Sequence, residues 1–473
     1  MILTVGEIVD AVSGDASSVD RSLIVSAYGV DSRAVIPGSL YVAIRGERVD
    51  GHDYAVAALA AGAVAVLSAR PLSDESGRPL PCVVVDDPVL ALGRLAAWVR
   101  RDKLTCSVVA ITGSSGKTST KDLVAAVLTC VGETVSPAGS FNTEVGLPLT
   151  ILSADEQTRF LVLEMGMRGE GHISYLVELA RPDVGLIVNV GSAHLGMLGT
   201  REAIARAKGE LVTGLSSEGT AVLNGDDPLV RAMATTTPAR VVTFGESASA
   251  DVRATDIRLD EMARPEFTLT DNRSLEAQSV ALQFSGEHYV SNALAAAAVA
   301  LSLGASLEQV ADGLRSAVPL SRWRMEVHVA PAGYTVINDA YNANPESMRA
   351  ALKTLAAMAA GRRTWAVLGE MRELGDSSVD EHDAIGRLAV RLDISRLLCV
   401  GEGTRVMHLG ASNEGSWGEE SAHVPDVDAA IAHLRAHVRP DDVVLVKASR
   451  SVGLERVAEA LLADPEPGEG SAA

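Results

Sequence analysis

The residues best equipped for chemistry are Thr112-Gly113-Ser114-Ser115-Gly116-Lys117-Thr118-Ser119, which follow the apolar run Val108-Val109-Ala110-Ile111 and lead into a helical pattern. Glycines let the backbone approach phosphates with its N–H groups turned inward, and a helix that follows presents its positive N-terminal end. Lys117 can then reach the outer phosphates, and the Thr118 hydroxyl can ligate Mg²⁺. The implied ligand is a nucleoside triphosphate with magnesium. The general phosphate-loop pattern puts four residues between its first glycine and the Gly-Lys pair. Here only Ser114 and Ser115 separate Gly113 from Gly116, so the loop is a shortened variant. A glycine-serine turn before an ordinary helix is the plain alternative, and both the strand before it and the Lys-Thr pair after it weigh against that.

Further candidates fall at the ends of apolar runs. Glu164 ends Phe160-Leu161-Val162-Leu163-Glu164. An unpaired carboxylate there is costly, which points to a cation partner, while a strand-end acid facing solvent is the alternative. His194 lies in the small-residue loop Gly191-Ser192-Ala193-His194 and by itself reads as a satisfied loop histidine. Lys208, in Ala205-Arg206-Ala207-Lys208-Gly209, by itself reads as a solvated charge on a helix. Asp339-Ala340-Tyr341-Asn342-Ala343-Asn344-Pro345 follows a strand and opens a helix with Pro345 at its first position. It is either a simple polar turn or an aromatic ring flanked by an acid and amides that suits a base and ribose.

Three blocks must position these residues. Residues 1–104 carry short strand patterns and polar turns such as Asp31-Ser32-Arg33 and Asp50-Gly51-His52. Residues 105–320 alternate helical segments with strands buried on both faces, including 160–164, 184–190 and 220–224. This predicts a mostly parallel sheet with right-handed crossovers and ligands at the carboxyl ends of its strands. Residues 321–463 repeat the alternation at 334–338, 365–369, 397–400 and 443–447, predicting a Rossmann-like sheet without a phosphate loop. The fold class is therefore a three-domain α/β protein. Residues 464–473 have nothing to bury and are expected to be disordered.

Composition narrows the function classes. A chain of 473 residues, 47% hydrophobic and 3% aromatic, suits two to four globular α/β domains. Its formal charge of -20 argues against a nucleic-acid partner or an anionic membrane surface, so any anionic ligand must be held by local cations and backbone dipoles. The start Met1-Ile2-Leu3-Thr4 lacks a signal-peptide pattern, and the apolar run 293–303 is too short to span a bilayer. Cys82, Cys106, Cys130 and Cys399 show no paired metal spacing and read as buried reduced thiols of a cytoplasmic protein.

Taken together, the phosphate loop, Leu163-Glu164-Met165-Gly166-Met167-Arg168-Gly169-Glu170-Gly171-His172-Ile173, Asn338-Asp339-Ala340-Tyr341-Asn342-Ala343-Asn344-Pro345-Glu346-Ser347-Met348 and Leu368-Gly369-Glu370-Met371-Arg372-Glu373-Leu374-Gly375 resemble the Mur ligases, the ATP-dependent amide-forming family of peptidoglycan precursor synthesis. The loop is shared across that superfamily and with folylpolyglutamate synthases. The other three stretches are similar to the branch acting on UDP-N-acetylmuramoyl-tripeptide and D-alanyl-D-alanine. The likeness covers nearly the whole chain apart from the tail. Rival readings are a sibling ligase or folylpolyglutamate synthase, separated by amine selectivity, and a phosphate-loop switch or motor. Against the last stand the lack of a guanine-reading Asn-Lys-x-Asp motif and the presence of a long third domain.

The resemblance implies roles residue by residue. Lys117 would bind the terminal phosphate of ATP, Thr118 and Glu164 one Mg²⁺, and His194 a second. Lys208 matches a lysine that siblings carbamylate into an anionic metal ligand. Asn292 would lie near adenine, and Arg324, Asp339, Tyr341 and Asn342 would reach phosphate and ribose from the last domain. Asn142, Thr143 and Asn344 would contact the nucleotide-linked substrate, and Ser32, Arg33, Gly46, Asp50 and His52 the uridine diphosphate. A monomer is expected. One position departs from the family: Ala448 in Lys447-Ala448-Ser449-Arg450 stands where glycine is usual.

Overall fold

The computed structural model describes residues 1–463 except 138, 416, 417 and 419. The expected disorder at 464–473 lies outside the described residues. The central sheet has nine strands, in the order 276–281, 265–271, 252–259, 240–245, 220–224, 184–187, 107–112, 160–164 and 134–135. All pairings from 134–135 to 252–259 are parallel. The sheet then continues through two antiparallel pairings. That extension was not foreseen, because its strands expose alternate residues and lack the continuous apolar runs of the parallel ones.

The reason for the parallel part is visible in the strand Ser107–Thr112. Val109 and Ile111 pack on one face with Leu123 and Val127 of helix Lys117–Thr129, and with the alanine-rich helix Tyr289–Ser302. Val108 and Ala110 pack on the other face with helices Pro88–Asp102, Gly146–Ser153, His172–Ala180 and Arg201–Thr213. Both faces are dry, so the run must be apolar throughout. The chain leaves this strand toward 134–135 and 160–164 on one side and later crosses to 184–187 on the other. The phosphate loop therefore opens at a topological switch point, where a crevice forms between diverging crossovers.

The first domain holds a four-stranded parallel sheet, 27–29, 39–42, 65–68 and 82–84. The third holds six strands in the order 326–329, 335–338, 443–447, 364–368, 396–400 and 421–424, parallel except for the first. Ala448 needs no glycine-like backbone, since it is absent from the non-glycine residues with positive φ. Its methyl instead fills the space that Gly369 leaves bare, where an added Cβ would lie 2.7 Å from the Ala448 Cβ. The cysteine expectation needs one correction: all four are free, but Cys130 is exposed at the end of its helix. No helix among the described residues is long and apolar enough to cross a membrane.

Candidate active site

A cleft of about 810 Å³ lies over the carboxyl end of the central sheet, roofed by the third domain. Its walls bring together Ser114, Ser115, Gly116, Lys117, Thr118, Ser119, Asn142, Glu164, His194 and Asn292 with Arg324, Asp339, Tyr341, Asn342 and Asn344. Thr112 and Gly113 lie just beneath. A Cβ on Gly113 would come within 3.0 Å of Val188, and Gly116 takes φ 75°. Ser114 and Ser115 donate their amides to Asn189 Oδ1, each at 3.0 Å, which sets the curve of the loop. No side chain caps helix Lys117–Thr129, leaving its first-turn amides for an anion.

Lys117 Nζ folds back onto the Gly113 carbonyl at 2.9 Å. Burial lowers its pKa, an effect opposed by the charges of Glu164 and Glu373. Glu164 is 1% exposed, which rules out the solvent-facing alternative. Its two oxygens accept from Thr118 Oγ1 and Asn142 Nδ2, both at 2.7 Å. Arg324 donates to Thr118 Oγ1 at 2.9 Å and Ser140 Oγ at 3.2 Å, and its guanidinium carbon sits 4.2 Å from the centre of the Tyr341 ring. Among the described residues its Nε is buried without a partner, as is His288 Nδ1 in the same cleft. Burial pushes the His288 pKa down to about 4, so the ring is neutral. It also pushes the Tyr289 hydroxyl, beside Ser119, up to about 12.

His194 sits in the left-handed region, φ 69°, with Nδ1 3.0 Å from Glu373 Oε2 but without the alignment of a hydrogen bond. Contact with His194 and the charge of Lys117 hold the Glu373 carboxyl below the usual glutamate value. Asp339 accepts from Lys447 Nζ at 2.6 Å, and the same ammonium donates to the Asn342 carbonyl at 2.9 Å. Asn344 caps helix Pro345–Ala359 and donates to the Ser114 carbonyl at 3.4 Å, tying the third domain to the phosphate loop.

Lys208 corrects the expectation of a solvated charge: it is 1% exposed. Its Nζ lies 4.0 Å from Met167 Sδ, and burial together with the Lys117 charge lowers its pKa well below the ordinary lysine value. It lies behind the cleft wall. Thr143 is likewise outside the lining, its hydroxyl turned to the amides of Val145 and Gly146.

The first-domain candidates stand apart from this cleft. Arg33 is exposed and paired with Asp31 at 2.7 Å. His52 is buried: Nε2 accepts from the Ala69 amide at 3.1 Å, so Nδ1 carries the proton and donates to Asp50 at 2.5 Å. It shapes the turn that presents Asp50 and Gly46.

Sequence reasoning placed Asn189 only at a strand end and gave no role to Ser140, His288, Glu346, Glu373 or Lys447. Several had been read inside longer motifs, but the contacts that define them span great sequence distances; Glu346, for example, meets Ser192 across 154 positions.

A phosphate loop at a sheet's switch point, closed by a third domain that brings an arginine and an acid, defines a nucleotide-dependent ligase architecture, and the chain belongs to the Mur ligase family. The family's catalytic domain matches residues 24–97, its middle domain 111–300 and its glutamate ligase domain 323–450. The chain is 49% identical, over 98% of each chain, to the UDP-N-acetylmuramoyl-tripeptide--D-alanyl-D-alanine ligase of Mycobacterium tuberculosis (strain ATCC 25618 / H37Rv). It superposes on MurF from Acinetobacter baumannii with a TM-score of 0.86 at 30% identity, covering 98% of this chain and 99% of that one. A MurF ligase from Thermotoga maritima, solved in complex with ADP, matches with a TM-score of 0.77 at 29% identity over 92% of this chain and 97% of that one.

Proposed function

We propose that the chain joins D-alanyl-D-alanine to UDP-N-acetylmuramoyl-tripeptide at the expense of ATP, giving the UDP-linked pentapeptide used in peptidoglycan synthesis. The observation that carries this is the end-to-end likeness to ligases of that name, with 49% identity over 98% of both chains. The cleft supports the chemistry. A carboxylate is a poor acylating agent, so the tripeptide's terminal carboxylate oxygen attacks the γ-phosphorus and ADP leaves. The amine of the dipeptide then attacks the acyl carbon of this acyl phosphate, the C–O bond breaks, and phosphate and a proton are released.

In the first step two anions must meet. Lys117, the free helix amides and Arg324 provide positive charge for the phosphates, with Lys117 turning from the Gly113 carbonyl toward them. Asn292, neutral His288 and Asp339 line the part of the cleft where a base and ribose fit. Thr118 and Glu164 offer hard oxygens suited to Mg²⁺, with His194 beside them as a ligand for a second ion. Bound magnesium would neutralise phosphate charge. Lys208 fits the carbamate role because burial and the Lys117 charge lower its pKa and so favour the neutral amine, the form that adds carbon dioxide. Closure of the third domain excludes water while the acyl phosphate waits. The first domain, with Ser32, Arg33, Gly46 and Asp50, takes the uridine diphosphate, and the enzyme works as a cytoplasmic monomer.

The test is phosphate release from ATP with the UDP-linked tripeptide, compared across D-alanyl-D-alanine, glutamate and free amino acids. Release should require both tripeptide and dipeptide. Turnover with glutamate or with no amine would favour a folate-type ligase or a switch.

A further inference from the structure

The loop that carries His194 is held from two sides by different domains. On one side the Gly191 amide donates to Ser114 Oγ of the phosphate loop at 2.8 Å. On the other, Ser192 donates its amide to Glu346 Oε1 at 2.9 Å and its hydroxyl to Glu346 Oε2 at 3.0 Å. Glu346 stands in the first turn of helix Pro345–Ala359, where the helix dipole favours a carboxylate. The fit leaves no room for another side chain: a Cβ on Gly191 would lie 2.7 Å from the Glu346 carboxyl carbon. Ser192 is buried in this arrangement, so separating the two domains would strip both its donors of their acceptor.

We infer that Glu346 is a positioning residue for the ligation reaction, a clasp through which docking of the third domain fixes the loop bearing His194. This rests on the proposed function for its link to turnover, but the clasp itself can be tested without ligation. The carboxylate acts by shape and hydrogen bonding. A glutamine can accept from the Ser192 amide and donate to its hydroxyl oxygen, so the charge is dispensable while the two contacts are not.

The experiment compares Glu346→Ala, Glu346→Gln, Gly191→Ala and the double variant Gly191→Ala/Glu346→Ala in the full chain. Steady-state kinetics, thermal melting, and small-angle scattering with and without a non-hydrolysable ATP analogue are the readouts. Glu346→Ala and Gly191→Ala should each lose roughly tenfold to a hundredfold in kcat, the scale of two lost hydrogen bonds. Both should populate a more extended shape with the analogue bound, at an unchanged melting temperature. Glu346→Gln should stay near the parent in both respects, and the double variant should be no worse than either single one. The inference is overturned if Glu346→Gln is as impaired as Glu346→Ala, if the two losses add, or if Glu346→Ala closes and turns over like the parent. If the parent itself fails to ligate, the functional reading falls, and the scattering comparison still decides the clasp.

Discussion

The Thr118 hydroxyl donates to Glu164 Oε2 across 2.7 Å, joining the first turn of the phosphate-loop helix to the end of the neighbouring strand. Within the buried cleft wall this places two hard oxygens side by side, with Asn142 satisfying the carboxylate's other oxygen. Glu164→Gln keeps the shape and removes the charge. It should raise the Mg²⁺ concentration needed for half-maximal activity by about tenfold or more while leaving the melting temperature nearly unchanged. Magnesium titrations of activity beside thermal melts check this, and an unchanged dependence would leave Glu164 with a structural role.

Lys117 Nζ hydrogen-bonds the Gly113 carbonyl, and the side chain belongs to none of the hydrophobic cores among the described residues. Lys117→Ala should therefore fold normally and lose ligation by on the order of a thousandfold, since it removes the one ammonium set against charge that develops on the phosphates, which Arg324 and the helix amides offset only in part. Single-turnover rates and circular dichroism of the purified variant decide it. Near-normal turnover in a folded variant would sink the phosphate-cradle assignment.

Lys208 is a buried amine whose Nζ lies 4.0 Å from the Met167 thioether. If it serves as a carbamate, Lys208→Ala leaves a cavity shaped for a small carboxylate. Added formate or acetate should then restore part of the lost activity. A concentration series of short-chain carboxylates against the variant checks this, and no recovery would contradict the carbamate role.

His288 has its pKa lowered by burial from 6.5 to about 4. As pH falls through 6.5 the unfolded chain takes up a proton that the folded ring refuses, so the stability that depends on a neutral ring is lost between 6.5 and about 4 and then levels off. His288→Gln should flatten the pH dependence of the denaturant midpoint across that window. Parallel slopes in parent and variant would show that the ring titrates as if exposed.

The parallel core and the phosphate loop were legible because dry sheet faces demand continuous apolar runs: 160–164 and 220–224 match their strands residue for residue. The run at 184–190 stops pairing at Ile187, since Asn189 leaves the sheet to shape the phosphate loop. The burial of Lys208 was hidden for a different reason: a lysine amid alanines on a helix reads as exposed, and only packing of distant elements buries it. Glu346 and Glu373 were invisible because their partners belong to another domain.

In the proposed reaction the tripeptide carboxyl is phosphorylated before the amine arrives. The most direct measurement is reductive trapping of the enzyme's products with ATP and UDP-linked tripeptide present and dipeptide absent. The tripeptide's terminal carboxyl should be recovered as the alcohol. Adding D-alanyl-D-alanine before the trap should abolish that product and yield UDP-linked pentapeptide, ADP and phosphate in equal amounts. ATP turnover indifferent to both tripeptide and dipeptide, with no trapped alcohol, would contradict the account.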